Sequence, residues 1–471
     1  MSDCIFGRCV REMPRKTLEI NEKTGLMILA GPIFGEQLLN ILVNNVDTLM
    51  LSHYSETGVG AVSNSNQVMF FMILMFNIIA TSTSVVVAQY LGAKKYEKMN
   101  MIYSLALIVN FVIGVVLSTI FVLSKGLIMQ MLNVPVAMRP EAAVYINIVG
   151  GSLFLQACYN VMLQILRCNG HAKVGFYISI FINCINIVGN YIFLYGPLSF
   201  LQLGVGGVAI STAVARAVAL ICALAFFYMK KIGSINLKHI IPFPFGMLVE
   251  MVKIGLPSAG ENLSYNMYQI LLLSFINGMG EDAVNAKAYS AALISFSMVF
   301  SNSAAMATQI ITGHLVGAGK EDAAYKRVFQ TLLVSMPITI FLATANWLIS
   351  PYTLRIFTSN ENIIKMGSFI MLVDIAIEIG RCLNMTFVNS LKAAGDYIFP
   401  LIVGLLMMWG FGATVGYAMG VVAGIGVAGV YMGTATDEVL RGIITMERWR
   451  RKSWLGKSIV KKEAEPTAAK A

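Results

Sequence analysis

Pro32-Ile-Phe-Gly-Glu36, close to the start of the chain, returns 225 residues later as Pro257-Ser-Ala-Gly-Glu261, each time inside a run of apolar residues. Laid over residues 257–320 at that offset without a gap, residues 32–95 match at 15 of 64 positions. The matches include Asn77 with Asn302, Thr83 with Thr308, Gly92-Ala93 with Gly317-Ala318 and Lys95 with Lys320. Leu166–Gly170 (LRCNG) falls on Leu391–Gly395 (LKAAG) in the same register, and the register slips only late, where Gly204-Val-Gly206 answers Gly424-Ile-Gly426. Such self-similarity marks an internally duplicated chain. Each half reads as one folding unit of about 200 residues, with a carboxylate at the same place in an apolar segment.

Hydrophobic residues form 57% of the 471 positions and charged residues only 12%, about half the charged share of a soluble globular protein. A mean hydropathy of +0.72 fits only an all-α polytopic membrane protein. The net charge of +10 does not point to nucleic acid, because the basic residues lie at the ends of apolar segments rather than in a stripe on a polar domain.

Runs long enough to cross about 30 Å of hydrocarbon, roughly 20 residues each, are read at 26–51, 61–91, 100–124, 141–168, 174–195, 205–229, 250–276, 284–316, 328–349, 365–390, 398–418 and 422–441. This predicts twelve transmembrane helices, six per repeat. Basic loops stay in the cytoplasm. With the N-terminus inside, 27 of the 34 Lys and Arg fall on the inner side; Lys125, Arg139, Lys287, Arg355 and Lys365 fall outside, and Arg216 and Arg381 lie within spans. Both termini are then cytoplasmic. An even number of spans per unit gives the halves one orientation, as in parallel repeats about an axis along the membrane normal. The expected organisation is an N-terminal arm over 1–25, an N-lobe over 26–229, a cytoplasmic linker over 230–249, a C-lobe over 250–455 and a disordered cytoplasmic tail over 456–471. No cleavable signal peptide is read in the first 25 residues, which are polar and mixed in charge. Trp449 and Trp454, beside Arg450, Arg451 and Lys452, read as an interfacial anchor. The seven cysteines make no disulfide framework; Cys4 and Cys9 lie in the arm, where lipidation is conceivable.

Charge at membrane depth costs at least a few kcal/mol, so acids within spans face a bundle interior or a cavity. Glu36 and Asp47 in the first span are eleven residues apart, which at about 100° per residue returns to within about 20° of the same face, about 16 Å further along. Asn40 and Asn44 share that face, giving a continuous polar stripe; a hydrogen-bonded seam between helices would use the same residues. The seventh span repeats Glu261 but carries Leu272 where Asp47 would fall, with Tyr265, Tyr268 and Gln269 nearby. Tyrosines beside a carboxylate suit an organic cation, and core packing suits them as well. In the tenth span Asp374, Glu378 and Arg381 share a face; a Glu378–Arg381 pair at i, i+3 would leave Asp374 as the acid able to titrate. Asn183, Asn186 and Asn190 in the fifth span, with Ser211 and Thr212 after it, could hold a proton or coordinate sodium, or could be structural.

Enzyme signatures are missing. His53, His171, His239 and His314 make no metal-binding pair, and there is no phosphate-binding Gly-x4-Gly-Lys-Ser/Thr loop, so transport would draw on an ion gradient.

From about Gly31 to Trp454 the chain resembles the multidrug and toxic compound extrusion (MATE) family. The resemblance rests on Pro32-x3-Glu36 with Val46-Asp47-Thr48, on Val87-Ala-Gln-Tyr-Leu-Gly-Ala93, on Gly189-Asn-Tyr-Ile-Phe193, and on Gly380-Arg-Cys-Leu-Asn384 leading to Leu391-Lys-Ala-Ala-Gly-Asp396. Asp437-Glu438-x2-Arg441 and Arg448-Trp-Arg-x3-Trp454 resemble a bacterial branch of it. The resemblance implies two six-helix lobes rocking around a central cavity, and antiport of a proton or sodium ion against cationic amphipathic compounds. By motif it places Asp47 in an N-lobe ion site, Glu261 as the acid of the seventh helix, and Asp374 where some members carry an acid. Asn190 departs from the pattern, standing where other branches have aspartate.

The expectation is therefore a multi-pass exporter of the plasma (bacterial inner) membrane, a monomer without a cofactor, and not an enzyme. Its partners would be the lipid bilayer and a small cationic substrate, with no nucleic acid. Glu36, Asp47, Asn186, Asn190, Glu261 and Asp374 are the candidate ion-coupling residues; Asn40, Asn44, Tyr265, Tyr268 and Glu378 are the candidate substrate contacts. A lipid or lipid-linked sugar flippase of the same superfamily is the alternative.

Overall fold

The computed structural model describes residues 20–22, 24–196 and 203–460. In chain order the helices are α1 (Leu26–Ser52), α2 (Glu56–Gly92), α3 (Met99–Leu123), the short α4 (Lys125–Met131) and α5 (Arg139–Tyr145), α6 (Leu153–Cys168), α7 (Ala172–Leu194), α8 (Val205–Met229), α9 (Phe245–Asn277), α10 (Glu281–Gly317), α11 (Glu321–Leu354), α12 (Glu361–Ala393), α13 (Ile398–Leu406), α14 (Ala413–Tyr417) and α15 (Val427–Arg450). Among the described residues eight helical runs are long and apolar enough to cross a membrane, or nine when a pair bent by 41° counts as one. The protein is an all-α polytopic membrane protein. The long helices outside that set are α9, α12 and α15. Helix α12 carries Asp374, Glu378, Arg381 and Lys392 and α15 carries Asp437, Glu438 and Arg441, while α9 carries Glu261 among several Asn, Gln, Ser and Tyr residues that lower its hydropathy.

Several boundaries differ from the sequence reading for local reasons. The run expected at 141–168 is broken: a π-helical turn over Ile146–Gly150 precedes the 41° bend before Leu153. Gly150-Gly151-Ser152 is a weak helix-forming sequence, and the ring of Phe121 packs where a Gly150 side chain would be, 2.5 Å from an ideal Cβ. Helix α9 begins at Phe245, inside the expected linker. In the run expected at 398–418, α13 and α14 are joined and followed by π turns at Met407–Gly412 and Ala418–Val422.

The C-terminal expectations need two corrections. Trp449 and Trp454 are not an exposed anchor; they stack at 4.3 Å with an interplanar angle of 11° and are wholly buried in the core. Residues 457–460 are not disordered. Ser458 Oγ and the Ile459 amide donate to Gln89 Oε1 at 3.0 and 2.9 Å, and Lys457 pairs with Asp396 at 2.7 Å. Buried Ile459 and Val460 supply the apolar area that the charged composition beyond them lacks. Residues 461–471, like most of the arm and its Cys4 and Cys9, lie outside the described residues. Of the arm, Ile20 packs against the core and Glu22 pairs with Lys320 at 2.7 Å.

The two halves of the chain are joined where α2 and α10 end. An ideal Cβ on Gly92 would stand 2.0 Å from the carbonyl oxygen of His314, and one on Gly317 would stand 2.0 Å from that of Gln89. Only glycine allows the backbones to approach so closely. Gln89 Nε2 donates to the Ala393 carbonyl at 2.6 Å, while His314 Nε2 bonds the Cys168 carbonyl at 2.8 Å, an arrangement that needs the proton on Nε2. Gln89 and His314 are themselves 225 positions apart, as are Cys168 and Ala393, so the duplicated positions clasp reciprocally across the junction.

Gly317→Val should therefore force the halves apart, costing about 2 kcal/mol or more, and lower the melting temperature in detergent. Gly246→Ala, where an added Cβ meets nothing within 4 Å, should leave it unchanged.

Candidate functional site

Of the two repeated carboxylates Glu36 is buried and Glu261 partly buried, and each is answered by a base. Glu36 Oε2 on α1 accepts from Arg167 Nη2 on α6 at 2.8 Å, and Glu261 Oε2 on α9 accepts from Lys392 Nζ on α12 at 2.7 Å. Arg167 and Lys392 stand at the same offset as the acids they meet, so one ion pair occurs twice. The positive-inside count had placed both bases, and Arg441, at the cytoplasmic margin; the structure buries all three. Glu36 is thus held in a pair rather than presented along a free stripe, while Asn40 and Asn44 on the same helix are exposed.

Further along α1 the environment changes. Asp47 Oδ1 accepts from Asn190 Nδ2 on α7 at 2.7 Å. With its amide nitrogen turned toward the acid, Asn186 reaches both carboxylate oxygens, at 2.8 and 3.0 Å. Asn190 Oδ1 is buried with no hydrogen-bond partner among the described residues. Asn183 Nδ2 donates to Ser179 Oγ at 3.3 Å, and Ser179 Oγ donates to Asn40 Oδ1 at 3.2 Å, so α1 and α7 meet along a polar seam. Among the described residues no lysine or arginine forms an ion pair with Asp47. Among those residues its carboxylate is served by neutral amides.

The second half is built differently. On α15, Arg441 Nη2 pairs with Asp437 at 2.7 Å and Glu438 at 3.5 Å, and its Nη1 lies 3.6 Å from Glu261. Arg381 on α12 forms an ion pair with Glu378 and lies 3.8 Å from Glu438, which also accepts from Asn384 at 2.8 Å. With Lys392, three bases serve four acids here, and Asp374 stands beside them. Spacing of three or four residues puts Arg381 over Glu378, and Arg441 over Asp437 and Glu438, on their own helices. Asp374, 3% exposed, has Oδ1 without a partner among the described residues.

A cavity of about 160 Å³ opens beside this network, between α9, α10, α12 and α15. Its walls include Tyr265, Gln269, Lys287, Asp374, Arg381 and Tyr431. Tyr265 and Asp374 are thus brought together as candidate contacts. Tyr268 and Glu378 are not: Tyr268 is wholly buried under Gly412, and Glu378 is wholly buried, bonded by Arg381 and by Ser301 at 3.2 Å. The sequence reading passed over Arg167, Lys392, Asp437, Glu438 and Arg441 as site residues. A signal for the first two was present, since an acid and a base repeat at one common offset.

The MatE family model matches the chain twice, over residues 32–192 and 257–418. "Uncharacterized transporter YisQ" of Bacillus subtilis (strain 168) is 35% identical, over 92% of this chain and 95% of that protein. "Probable multidrug resistance protein NorM" of Thermotoga maritima is 21% identical, over 93% and 94%. A solved structure described as the outward-facing conformation of a multidrug resistance MATE family transporter superposes with a TM-score of 0.84 at 20% identity, covering 93% of this chain and 98% of that one. A transporter of the MOP superfamily from Pyrococcus furiosus, whose binding pocket is described as reversed in polarity, superposes at 0.82 with 20% identity over 93% and 98%. With its family match spanning both halves, this chain belongs to the MatE family.

Removing one member of a buried pair strands the other charge, at about 3–5 kcal/mol. Arg167→Met should therefore lower thermal stability sharply. Arg167→Met with Glu36→Gln should recover most of the loss, and a double-mutant cycle on melting in detergent reads the coupling.

Proposed function

We propose that this chain is a secondary active transporter, exporting small cationic amphipathic compounds by antiport against protons or sodium ions. Its twelve spans would form two parallel six-helix lobes around a central cavity, in a plasma (bacterial inner) membrane with both termini cytoplasmic. In that arrangement the reciprocal clasp of Gln89 and His314 would close the lobes at the Lys- and Arg-rich, cytoplasmic end. The twofold match of the family model and the family's relatives support this reading.

The observation that carries the coupling role is Asp47, a half-buried acid without a counter-cation among the described residues. Ionised, it accepts from both amides. Protonated, it must give its O–H to an acceptor, and Asn186 can supply one by turning its amide oxygen toward the acid. Sodium would instead meet Asp47 together with Asn190 Oδ1, which has no partner among the described residues. Either ion neutralises the attraction that an ionised Asp47 exerts on a cationic substrate, favouring release outward. The departure from an acidic residue at 190 leaves a single carboxylate here, so one positive charge suffices to neutralise it.

Asp47→Asn preserves the shape while removing the charge. Ethidium efflux from loaded, energised vesicles should fall at least about tenfold, a loss of about 1.4 kcal/mol in coupling, with insertion unchanged. A protonophore or a sodium ionophore, applied separately, should abolish wild-type efflux in only one case and so name the ion. Full-rate efflux by Asp47→Asn would exclude this mechanism.

A further inference from the structure

The cavity between α9, α10, α12 and α15 is lined by two opposite charges, on Asp374 and Lys287, that form no ion pair among the described residues. Asp374 is 3% exposed, with Oδ1 unbonded among the described residues. Half-buried Lys287 forms no ion pair among those residues. The third charge in the wall, Arg381, is already committed to Glu378 and Glu438. Leaving opposite charges unanswered in a shared cavity is costly, and the simplest remedy would be for Lys287 and Asp374 to meet.

Helix register keeps them apart. Asn360 donates to Asp282 at 3.2 Å, Ser290 to the Gly367 carbonyl at 3.4 Å and Ser301 to Glu378 at 3.2 Å. Helices α10 and α12 therefore run parallel and in step, with Lys287 level with Ile364. Asp374 lies ten residues deeper, about 15 Å along the axes at 1.5 Å per residue. A lysine stem extended into the cavity shortens the gap to roughly 9 Å. Tyr265 and Tyr431 contribute aromatic wall to the same cavity.

We infer that this cavity takes a small zwitterion, with an ammonium and a carboxylate at opposite ends of an apolar body of about one ring. The ammonium would sit deep, against Asp374, and the carboxylate near the mouth, against Lys287. The volume of about 160 Å³ lies below the ~300 Å³ at which drug-sized pockets begin, which sets the size of the body. A simple cation would leave Lys287 unanswered and be repelled by it; a simple anion would do the same with Asp374. Only a ligand carrying both charges answers both ends. This inference rests on the transporter reading above and adds a ligand class at a cavity apart from Asp47, the acid that attracts a cationic substrate.

The test is calorimetric binding to the full-length protein in detergent, using 4-(aminomethyl)benzoate, its cationic methyl ester and benzoate as probes. The wild type should bind the zwitterion at least about tenfold tighter than either single-charge probe, as expected for one charge-assisted hydrogen bond. Lys287→Met should erase the preference over the ester, and Lys287→Arg should retain it. Asp374→Asn should weaken zwitterion and ester together. Equal affinity of the wild type for zwitterion and ester, no binding of the zwitterion, or a preference that survives Lys287→Met would overturn the inference. Ion-driven ethidium efflux from wild-type vesicles, measured in parallel, judges the antiport reading separately: its absence beside a Lys287-dependent binding preference would overturn antiport alone.

Discussion

A carboxylate placed in the membrane interior must be answered, and the pairing of Glu36 with Arg167 and of Glu261 with Lys392 is the constraint around which each half is organised. Each pair ties the early helix of its half to a later one. Because desolvating two charges is costly, the pair contributes to specifying which helices meet more than to net stability. Its repetition at one offset gives both halves the same internal connection, and the reciprocal bonds of Gln89 and His314 give them a matched junction.

On that common frame the two halves carry unlike chemistry. In the first, a single acid, Asp47, is held by neutral amides, an environment in which gain or loss of one cation changes the local charge completely. In the second, acids and bases interlock on α9, α12 and α15, and removal of any one is shared among several neighbours. Asp374 stands outside that network and faces the cavity. A site that binds and releases an ion needs a weakly compensated charge, and among the described residues these two acids within the helices retain one. The interlocked set instead holds three charge-bearing helices together.

The repeat, the polytopic class and the polar faces of α1 and the α7 asparagines were legible in the linear order of residues, because helical periodicity and apolar run length are local properties. Asp47 and Asn190 could be singled out, although not brought together. The burial of Trp449 and Trp454 was misread, since aromatic residues next to arginines have the same composition whether they meet lipid or core. The break before Leu153 was missed as well, because a ring packed against Gly150 is a tertiary contact. Arg167, Lys392 and Arg441 were read as cytoplasmic flanks for a related reason: a base at the end of an apolar run has the same local signature whether it points to water or inward.

The sequence by itself determined that this chain is a duplicated bundle of apolar helices with acids at matched and unmatched positions, since these follow from offset, hydropathy and a period of about 3.6 residues. Only the tertiary structure decided which of those acids are neutralised. Compensation depends on what a different helix brings within about 4 Å, and that distance is set by packing between segments more than a hundred residues apart. Glu36 and Glu261 are taken up by bases of another helix, whereas Asp47 is not; the Glu378–Arg381 pair, which leaves Asp374 without a base, was already legible in its i, i+3 spacing.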